Sequence, residues 1–134
     1  MKSEVVADTD VVSFQFKNDS RSELYRPLLR DHRIILSFMT VAELDQWAIR
    51  AHWGKPGRAL MEHYVQQFTF AYCDRDLCRL WAEVSEGARS AGIPISTADA
   101  WIAATALAYN IPLVTHNAND YRGVAGLQII TAPV

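Results

Sequence analysis

Residues 93–115 read IPISTADAWIAATALAYNIPLVT and contain the most specific local signals of the chain. Ser96-Thr97-Ala98-Asp99 has the spacing of a capping box, in which two polar side chains satisfy backbone N–H groups at a helix start. It predicts a very apolar helix over Ala100–Tyr109. Ile111-Pro112 ends that helix, and Leu113-Val114-Thr115 predicts a short strand. A helix followed closely by a short apolar strand is typical of an α/β sheet.

Short β-leaning runs recur along the chain, and segments with helical spacing separate them. Thr40-Val41-Ala42-Glu43 repeats the capping-box spacing and predicts another helix start. Asp74 can cap a long helix that Gly92 ends, and a further helix is expected near Arg58–Gln67. Five strands are predicted, over Val5–Asp8, Ile34–Phe38, Phe68–Cys73, Leu113–Thr115 and Leu127–Thr131. This alternation predicts an α/β fold with a mostly parallel sheet and helices on both faces.

Length and composition predict one globular domain over residues 1–134. The formal net charge is −2, so no global positive field attracts nucleic acid or anionic lipid, although a local basic patch can still bind RNA. No targeting signal is visible, and no apolar run reaches the length of a membrane span. We therefore expect a cytoplasmic protein that does not bind a membrane.

The cysteine content predicts free thiols. Cys73 and Cys78 do not make a disulfide framework, and their separation does not match the short spacing of a zinc site. Free cysteine is among the most buried residue types. We therefore expect both thiols to be buried or half-buried.

Three acidic residues that are far apart in the chain share one position relative to the predicted strands. Asp8 closes the first strand, Glu43 lies in the first turn of the helix after the second strand, and Asp99 lies in the first turn of the apolar helix. The carboxyl ends of parallel strands and the adjacent helix starts line one edge of a sheet. Carboxylates gathered there repel one another unless a cation lies between them. The pattern therefore indicates a site for a hard metal ion with oxygen ligands.

Each acid also has a purely structural explanation. Glu43 and Asp99 occupy the last position of their capping boxes, where an acidic side chain suits the helix dipole. Asp8 fits this explanation less well, because a charge directly after a buried strand is costly unless it is paired or metal-bound. Its neighbour Asp10 is the better candidate for a cap on the following helix or for a side-chain turn.

The segment Thr115–Tyr121 follows the fourth predicted strand and offers a hydroxyl, carboxamides and a carboxylate at the same edge. An ordinary hydrophilic loop explains this composition equally well. The segment becomes informative only in combination with the acids.

Taken together and in order, these motifs resemble those of the PIN-domain family, and more closely those of the VapC-type toxins of toxin–antitoxin pairs. The resemblance covers essentially the whole chain, and its third stretch is the most specific. The matching stretches are Val6–Ser13, Ser37–Leu44, Ile95–Leu107, Ile111–Asn117 and Asp120-Tyr121.

The resemblance implies a three-layer α/β/α fold with a five-stranded sheet in the order 3-2-1-4-5, which would bring the acids together. It places the first three acids of the family on Asp8, Glu43 and Asp99. Asp120 and Asn117 compete for the fourth position, and we favour Asp120 because it supplies a charge.

By the same resemblance, the protein is expected to be an endoribonuclease that uses Mg²⁺, with Mn²⁺ as a substitute. Asp8 and Asp99 would be the principal ligands, Glu43 would act through a bound water, and Asp120 would complete the shell or a second metal position. Candidates for an accessory role are Thr9, Asp10, Thr115 and Asn117. The family usually carries Asn where this chain has Asp10, so the extra carboxylate would either strengthen the metal site or cap the next helix. The implied partners are an RNA substrate, an antitoxin protein and a second copy of the chain.

The same residues allow three further interpretations. Asp8-Thr9-Asp10 also resembles the opening motif of haloacid-dehalogenase-type phosphatases, in which one Asp is the nucleophile. Against it, none of the lysines (Lys2, Lys17 and Lys55) follows a late strand. The second is a non-catalytic RNA- or protein-binding module of the same fold, and the third is a PIN nuclease for RNA processing without an antitoxin.

Overall fold

Strands and helices alternate along the computed structural model, which describes residues 2–132. The strands are β1 (Ser3–Ala7), β2 (His32–Ser37), β3 (Thr69–Ala71), β4 (Leu113–Val114) and β5 (Ile129–Ile130). The helices are α1 (Thr9–Lys17), α2 (Ser22–Arg30), α3 (Phe38–Arg50), α4 (Lys55–Val65), α5 (Arg75–Ser90) and α6 (Thr97–Tyr109), and a 3₁₀ turn covers Ala118–Tyr121.

The sheet has the order β3-β2-β1-β4-β5, and each adjacent pair of strands is parallel. This confirms the predicted strand order. Val6 lies in the central strand, opposite Ile35 of β2 on one side and Leu113 of β4 on the other. The chain first builds the sheet outward from β1 to β3 and then crosses back to place β4 beside β1. The carboxyl ends of β1 and β4 therefore form the switch point where ligands of open α/β sheets bind.

Alternate residues of β1 face opposite layers of helices. Val5 and Ala7 pack with α1–α4, whereas Val6 packs with α5 and α6. Because side chains along a strand alternate between the two faces, a fully apolar strand indicates a sheet that is covered on both sides. The structure thus has the three-layer arrangement predicted from the sequence.

The structure confirms two of the helix caps predicted from the sequence and contradicts a third. Ser96 Oγ accepts the N–H of Asp99 (3.1 Å), as the capping-box spacing predicts, and Asp74 Oδ1 accepts the N–H of Leu77 (2.8 Å) at the start of α5. The capping box over Thr40–Glu43 is wrong. The chain turns directly from β2 into α3, and Ser37 is the cap, its Oγ accepting the N–H of Met39 (3.1 Å). Glu43 therefore lies beyond the first turn of α3.

Helix α4 also begins earlier than predicted, at Lys55 instead of near Arg58. Pro56 is compatible with this start. Proline has no backbone N–H, and the first N–H groups of a helix have no intrahelical acceptor, so no hydrogen bond is lost. None of the helices within residues 2–132 is both long and apolar enough to span a membrane.

The prediction of buried thiols is wrong for Cys73, which is exposed, whereas Cys78 is half-buried. Strand β3 ends at Ala71, so Cys73 lies in the connection to α5 and outside the sheet. The two sulfur atoms are 3.9 Å apart, and both thiols are free.

The glycine after the 3₁₀ turn permits a close backbone approach. A Cβ atom on Gly123 would lie 2.6 Å from the carbonyl oxygen of Ile93. A Cβ atom on Gly87, in α5, would have no other atom within 4 Å.

We expect Gly123→Ala to lower the free energy of unfolding by about 1–3 kcal/mol through overpacking. Gly87→Ala, the matched control, is expected to raise it by about 0.5–1 kcal/mol, because alanine loses less chain entropy in a helix. Urea unfolding of both variants measures the difference, and equal effects would contradict the close packing of Gly123.

Candidate active site

Asp8 lies where β1 ends, and its carboxylate is almost fully engaged by the protein. Oδ1 accepts the backbone N–H of Thr9 (2.8 Å), which makes Asp8 the N-cap of α1. Oδ2 accepts the hydroxyls of Thr115 (2.8 Å) and Tyr121 (2.9 Å). The side chain is buried, at 6% exposure. The sequence favoured Asp10 over Asp8 for a cap on this helix or for a side-chain turn, but the cap is Asp8, which has the extended backbone that precedes a helix.

Asp99 reaches the same place from the first turn of α6. The hydroxyl of Tyr121 lies 3.2 Å from Asp99 Oδ1 as well as 2.9 Å from Asp8 Oδ2. One buried phenol therefore connects two carboxylates that come from distant segments of the chain. No role for Tyr121 follows from sequence spacing, because the residue stands beside Asp120 in a polar segment and nothing local indicates where its hydroxyl points.

Glu43 is connected to the site through Thr9. The Thr9 hydroxyl donates to Glu43 Oε1 (2.6 Å) and also lies 3.0 Å from Oγ1 of Thr40. Since Thr9 directly follows Asp8, this contact brings the first turn of α1 against α3. The three acids identified from the sequence thus lie at one edge of the sheet, as predicted.

Asp10 binds the loop after β4. Its Oδ1 accepts the N–H of Val11 (2.6 Å), and its Oδ2 accepts the backbone N–H of His116 (3.1 Å) and the side-chain amide of Asn117 (3.0 Å). Thr115 Oγ1 also accepts the N–H of Asn117 (3.0 Å). The extra carboxylate of this chain therefore holds the polar loop against the start of α1.

Asp120 is exposed in the 3₁₀ turn, on the side of the site where Asp99 lies. Its charge is close enough to contribute to the raised pKa of Asp99. Asn117, the competing candidate for the fourth position, has its amide nitrogen engaged by Asp10.

Burial and mutual repulsion make these carboxylates hard to ionise. Burial, followed by the charge of Asp10, raises the pKa of Asp8 to about 7, against the lowering effect of the Thr115 and Tyr121 hydroxyls. Burial also raises the pKa of Asp99 and of Asp10, and hydrogen bonds offset only part of each rise. The pKa of Tyr121 is raised by burial and by the two adjacent carboxylates, so its hydroxyl keeps its proton. The site therefore gathers carboxylates whose negative charge the protein offsets only in part.

The donor set fits a hard cation that retains much of its water. Within residues 2–132, no three His, Cys, Asp or Glu side chains lie close enough to form a complete metal-binding group. Mg²⁺, however, usually keeps several waters and is held by one or two carboxylates. Asp8 and Asp99 supply such a pair, and both present oxygen atoms only.

The fold and the acidic edge define the class of protein to which the chain belongs. The sequence profile of the PIN domain matches residues 5–127, so the chain is a member of the PIN-domain family. Among curated relatives, it is 28% identical to Ribonuclease VapC1 of Haemophilus influenzae strain R2866 over 123 residues, which are 90% of this chain and 92% of that protein.

Two solved structures extend this similarity to three dimensions. VapBC-1 from nontypeable Haemophilus influenzae matches with a TM-score of 0.78 and 27% identity, covering 96% of this chain and 97% of that one. DNA-bound VapBC from Salmonella typhimurium matches with a TM-score of 0.84, covering 98% of both chains. The identity to the second is 21%, so that likeness concerns the fold alone.

Proposed function

We propose that this chain is a divalent-metal-dependent endoribonuclease and the toxin of a VapBC-type toxin–antitoxin pair. The observation that carries the proposal is the convergence of Asp8 and Asp99 on the single hydroxyl of Tyr121, at the switch point of a PIN-domain sheet. Asp8 is buried and Asp99 is half-buried, and two carboxylates that share one hydroxyl repel each other unless a proton or a cation lies between them. The similarity to a ribonuclease over nine-tenths of the chain supports RNA as the substrate.

Asp8 and Asp99 would hold the ion, and Mg²⁺ or Mn²⁺ would fit their oxygen atoms. When bound, the ion would lower the pKa of a coordinated water and shield the negative charge that develops on the phosphate. Glu43 would orient a water, since Thr9 already fixes one of its oxygens. Asp120 is the better candidate for the fourth acid, because Asn117 is committed to Asp10.

Asp10 is proposed to position the loop and not to bind the ion. Its hydrogen bonds join it to Val11 and to the loop after β4, whereas those of Asp8 lead through Tyr121 to Asp99. Thr115 would act with it, since its hydroxyl joins Asp8 to the same loop. Anchoring this loop also sets the position of the 3₁₀ turn that carries Asp120.

An antitoxin and a second copy of the chain each require an apolar surface, and the structure offers two. Leu60 is 61% exposed and lines a shallow groove with Phe16 and Trp53. Tyr72 is 79% exposed and lies with Tyr109 along a second groove, which Asp74 and Asp76 also line. Exposed apolar patches of this kind mark protein interfaces. A small reading frame immediately upstream would favour a toxin over an RNA-processing nuclease without an antitoxin.

The phosphatase interpretation has less support. The resemblance to those phosphatases implies a lysine that follows a late strand and faces the nucleophile. Lys2 Nζ donates to the carbonyl of Arg30, and Lys17 Nζ lies over the ring of Trp47. Neither lysine therefore faces Asp8.

Removal of divalent metal is expected to lower the rate of RNA cleavage at least about 1,000-fold, because stabilisation by the ion amounts to several kcal/mol. The measurement uses antitoxin-free protein and a defined RNA, with Mg²⁺, with Mn²⁺ and with EDTA, followed by re-addition of Mg²⁺. Cleavage that continues unchanged in EDTA would contradict a metal-dependent mechanism. A second possible outcome is that calorimetry detects no Mn²⁺ binding at millimolar concentration and that the protein binds RNA without cleaving it. This result would instead identify a non-catalytic binding module.

A further inference from the structure

The hydroxyl of Tyr121 has a single proton and lies close to two carboxylate acceptors. It lies 2.9 Å from Asp8 Oδ2 and 3.2 Å from Asp99 Oδ1, and the residue is 1% exposed. A phenol can donate only one hydrogen bond at a time. The hydroxyl donates to Asp8 at the shorter distance and has Asp99 as a second acceptor within hydrogen-bond distance, so it links the two carboxylates.

The hydroxyl of Tyr121 is not required for the packing of its side chain. The ring of Tyr121 belongs to the apolar cluster formed by α5, α6 and the central strands, and phenylalanine would occupy the same volume. The turn that carries the ring is itself fixed, because the N–H of Val124 donates to the carbonyl of Tyr121 (3.1 Å) and Gly123 packs against the backbone of Ile93. A rigid support therefore presents one polar atom to the two acids.

The hydrogen bonds that Asp8 accepts leave one lone-pair site of its carboxylate unused. A carboxylate offers about four lone-pair sites, two on each oxygen. On Asp8, both sites of Oδ2 are used by Thr115 and Tyr121, and one site of Oδ1 is used by Thr9. The remaining site is on Oδ1.

We infer that Tyr121 is a positioning residue that fixes Asp8 and Asp99 relative to each other and directs a divalent cation to Oδ1 of Asp8. This inference rests on the proposed function, since it assumes that the two acids bind the ion. Tyr121 acts through the carboxylates and does not itself contact the ion. Its hydroxyl keeps Asp8 Oδ2 occupied, so that Asp8 binds through one oxygen only and Asp99 supplies a second oxygen at a set distance.

Replacing Tyr121 with phenylalanine removes this connection and leaves the packing in place. We expect Tyr121→Phe to weaken Mn²⁺ binding by about 10- to 100-fold, the usual effect of losing a partner that orients a metal ligand. The Mn²⁺ concentration for half-maximal cleavage is expected to rise by the same factor. Calorimetric titration of the metal into RNA-free protein measures the affinity without depending on activity.

Tyr64→Phe is the matched control. The Tyr64 hydroxyl also makes a part-buried hydrogen bond, to the backbone carbonyl of Val12 (3.2 Å), and that carbonyl does not belong to any of the acids. A general loss of one internal hydrogen bond would affect the stability of both variants and the metal affinity of neither. We expect the Mn²⁺ affinity of Tyr64→Phe to stay within about twofold of the wild type, since its hydroxyl is not a partner of a metal ligand.

The outcomes separate this inference from the proposed function. If the wild type binds Mn²⁺ and Tyr121→Phe binds it equally well, the role of Tyr121 is wrong and the proposed function stands. If the wild type binds no Mn²⁺, the proposed function fails and the inference fails with it. A crystal structure of the wild type with Mn²⁺ provides a test that does not require the variant to fold. Mn²⁺ on Oδ1 of Asp8 would support the inference, and Mn²⁺ on Oδ2 would overturn it.

Discussion

Asp8→Asn is expected to lower the rate of RNA cleavage at least about 1,000-fold, corresponding to about 4 kcal/mol of lost transition-state stabilisation. Asparagine has nearly the same shape but no charge, and under the proposed function Asp8 is a principal ligand of the ion. The variant should still fold. The amide oxygen can accept the N–H of Thr9, and the amide nitrogen can donate to the hydroxyl oxygens of Thr115 and Tyr121, which can also act as acceptors.

The measurement is single-turnover cleavage of a defined RNA at saturating Mg²⁺, with Asp99→Asn alongside. Asp76→Asn is the control, because Asp76 is an exposed acid of α5 paired with Arg79 and should leave the rate unchanged. Cleavage at the wild-type rate in both Asp8→Asn and Asp99→Asn would refute the assignment of the site. A large loss in the Asp76 variant would show instead that activity responds to any removal of negative charge.

The second large effect concerns stability: the metal-free protein is expected to become less stable as the pH rises from about 4 to about 7. The pKa of Asp8 is raised by burial and by Asp10, from 3.8 to about 7 in the folded protein. Between these two values the folded state binds the proton and the unfolded state releases it. The folded state therefore holds more protons, and raising the pH favours unfolding. The contribution of Asp8 is fully present below pH 3.8 and is lost as the pH passes about 7.

The expected loss is at most about 4 kcal/mol from Asp8. The pKa of Asp99 and the pKa of Asp10 are also raised by burial, so both groups act in the same direction. Surface acids with a lowered pKa, such as Asp19 beside Arg21 and Glu86 beside Arg89, act in the opposite direction. These surface pairs are common to the wild type and to Asp8→Asn, and comparing the two proteins removes them.

Urea unfolding between pH 4 and 8 in EDTA tests this expectation. The free energy of unfolding of the wild type should fall over this range, whereas that of Asp8→Asn should fall less and exceed the wild-type value at pH 7. Added Mg²⁺ should stabilise the wild type and leave the variant unchanged, because binding to the folded state alone raises stability. An identical pH dependence in the two proteins would show that Asp8 does not carry the raised pKa.

According to these two predictions, the ionised carboxylate of Asp8 lowers the free energy of unfolding and is required for RNA cleavage. Proteins keep such a group where function requires it. Because asparagine caps a helix about as well as aspartate, the cap of α1 is retained in Asp8→Asn, and a gain of stability together with loss of cleavage would separate the function of the Asp8 charge from its role as a cap.

Some features of this protein were determined by the sequence alone, because their causes lie within a few residues. The alternation of apolar strands and helices predicted the α/β class, and the starts of α5 and α6 followed from Asp74 and Ser96. The strand order came from the resemblance to the PIN family, which depends on short stretches of sequence. The position of Asp8, Glu43 and Asp99 at one edge then followed from the geometry of parallel strands.

Other features were decided only by the tertiary structure, because they depend on contacts between distant segments. Ser37 replaces Thr40 as the cap of α3 since the chain turns out of the sheet earlier than its pattern suggests. Asp10 binds the loop after β4 only because β1 and β4 are neighbours in the sheet. The role of Tyr121 arises in the same way. Its hydroxyl meets Asp8 and Asp99 because packing of the 3₁₀ turn aims it there, and hydrogen-bond direction between remote segments leaves no signal in local sequence spacing.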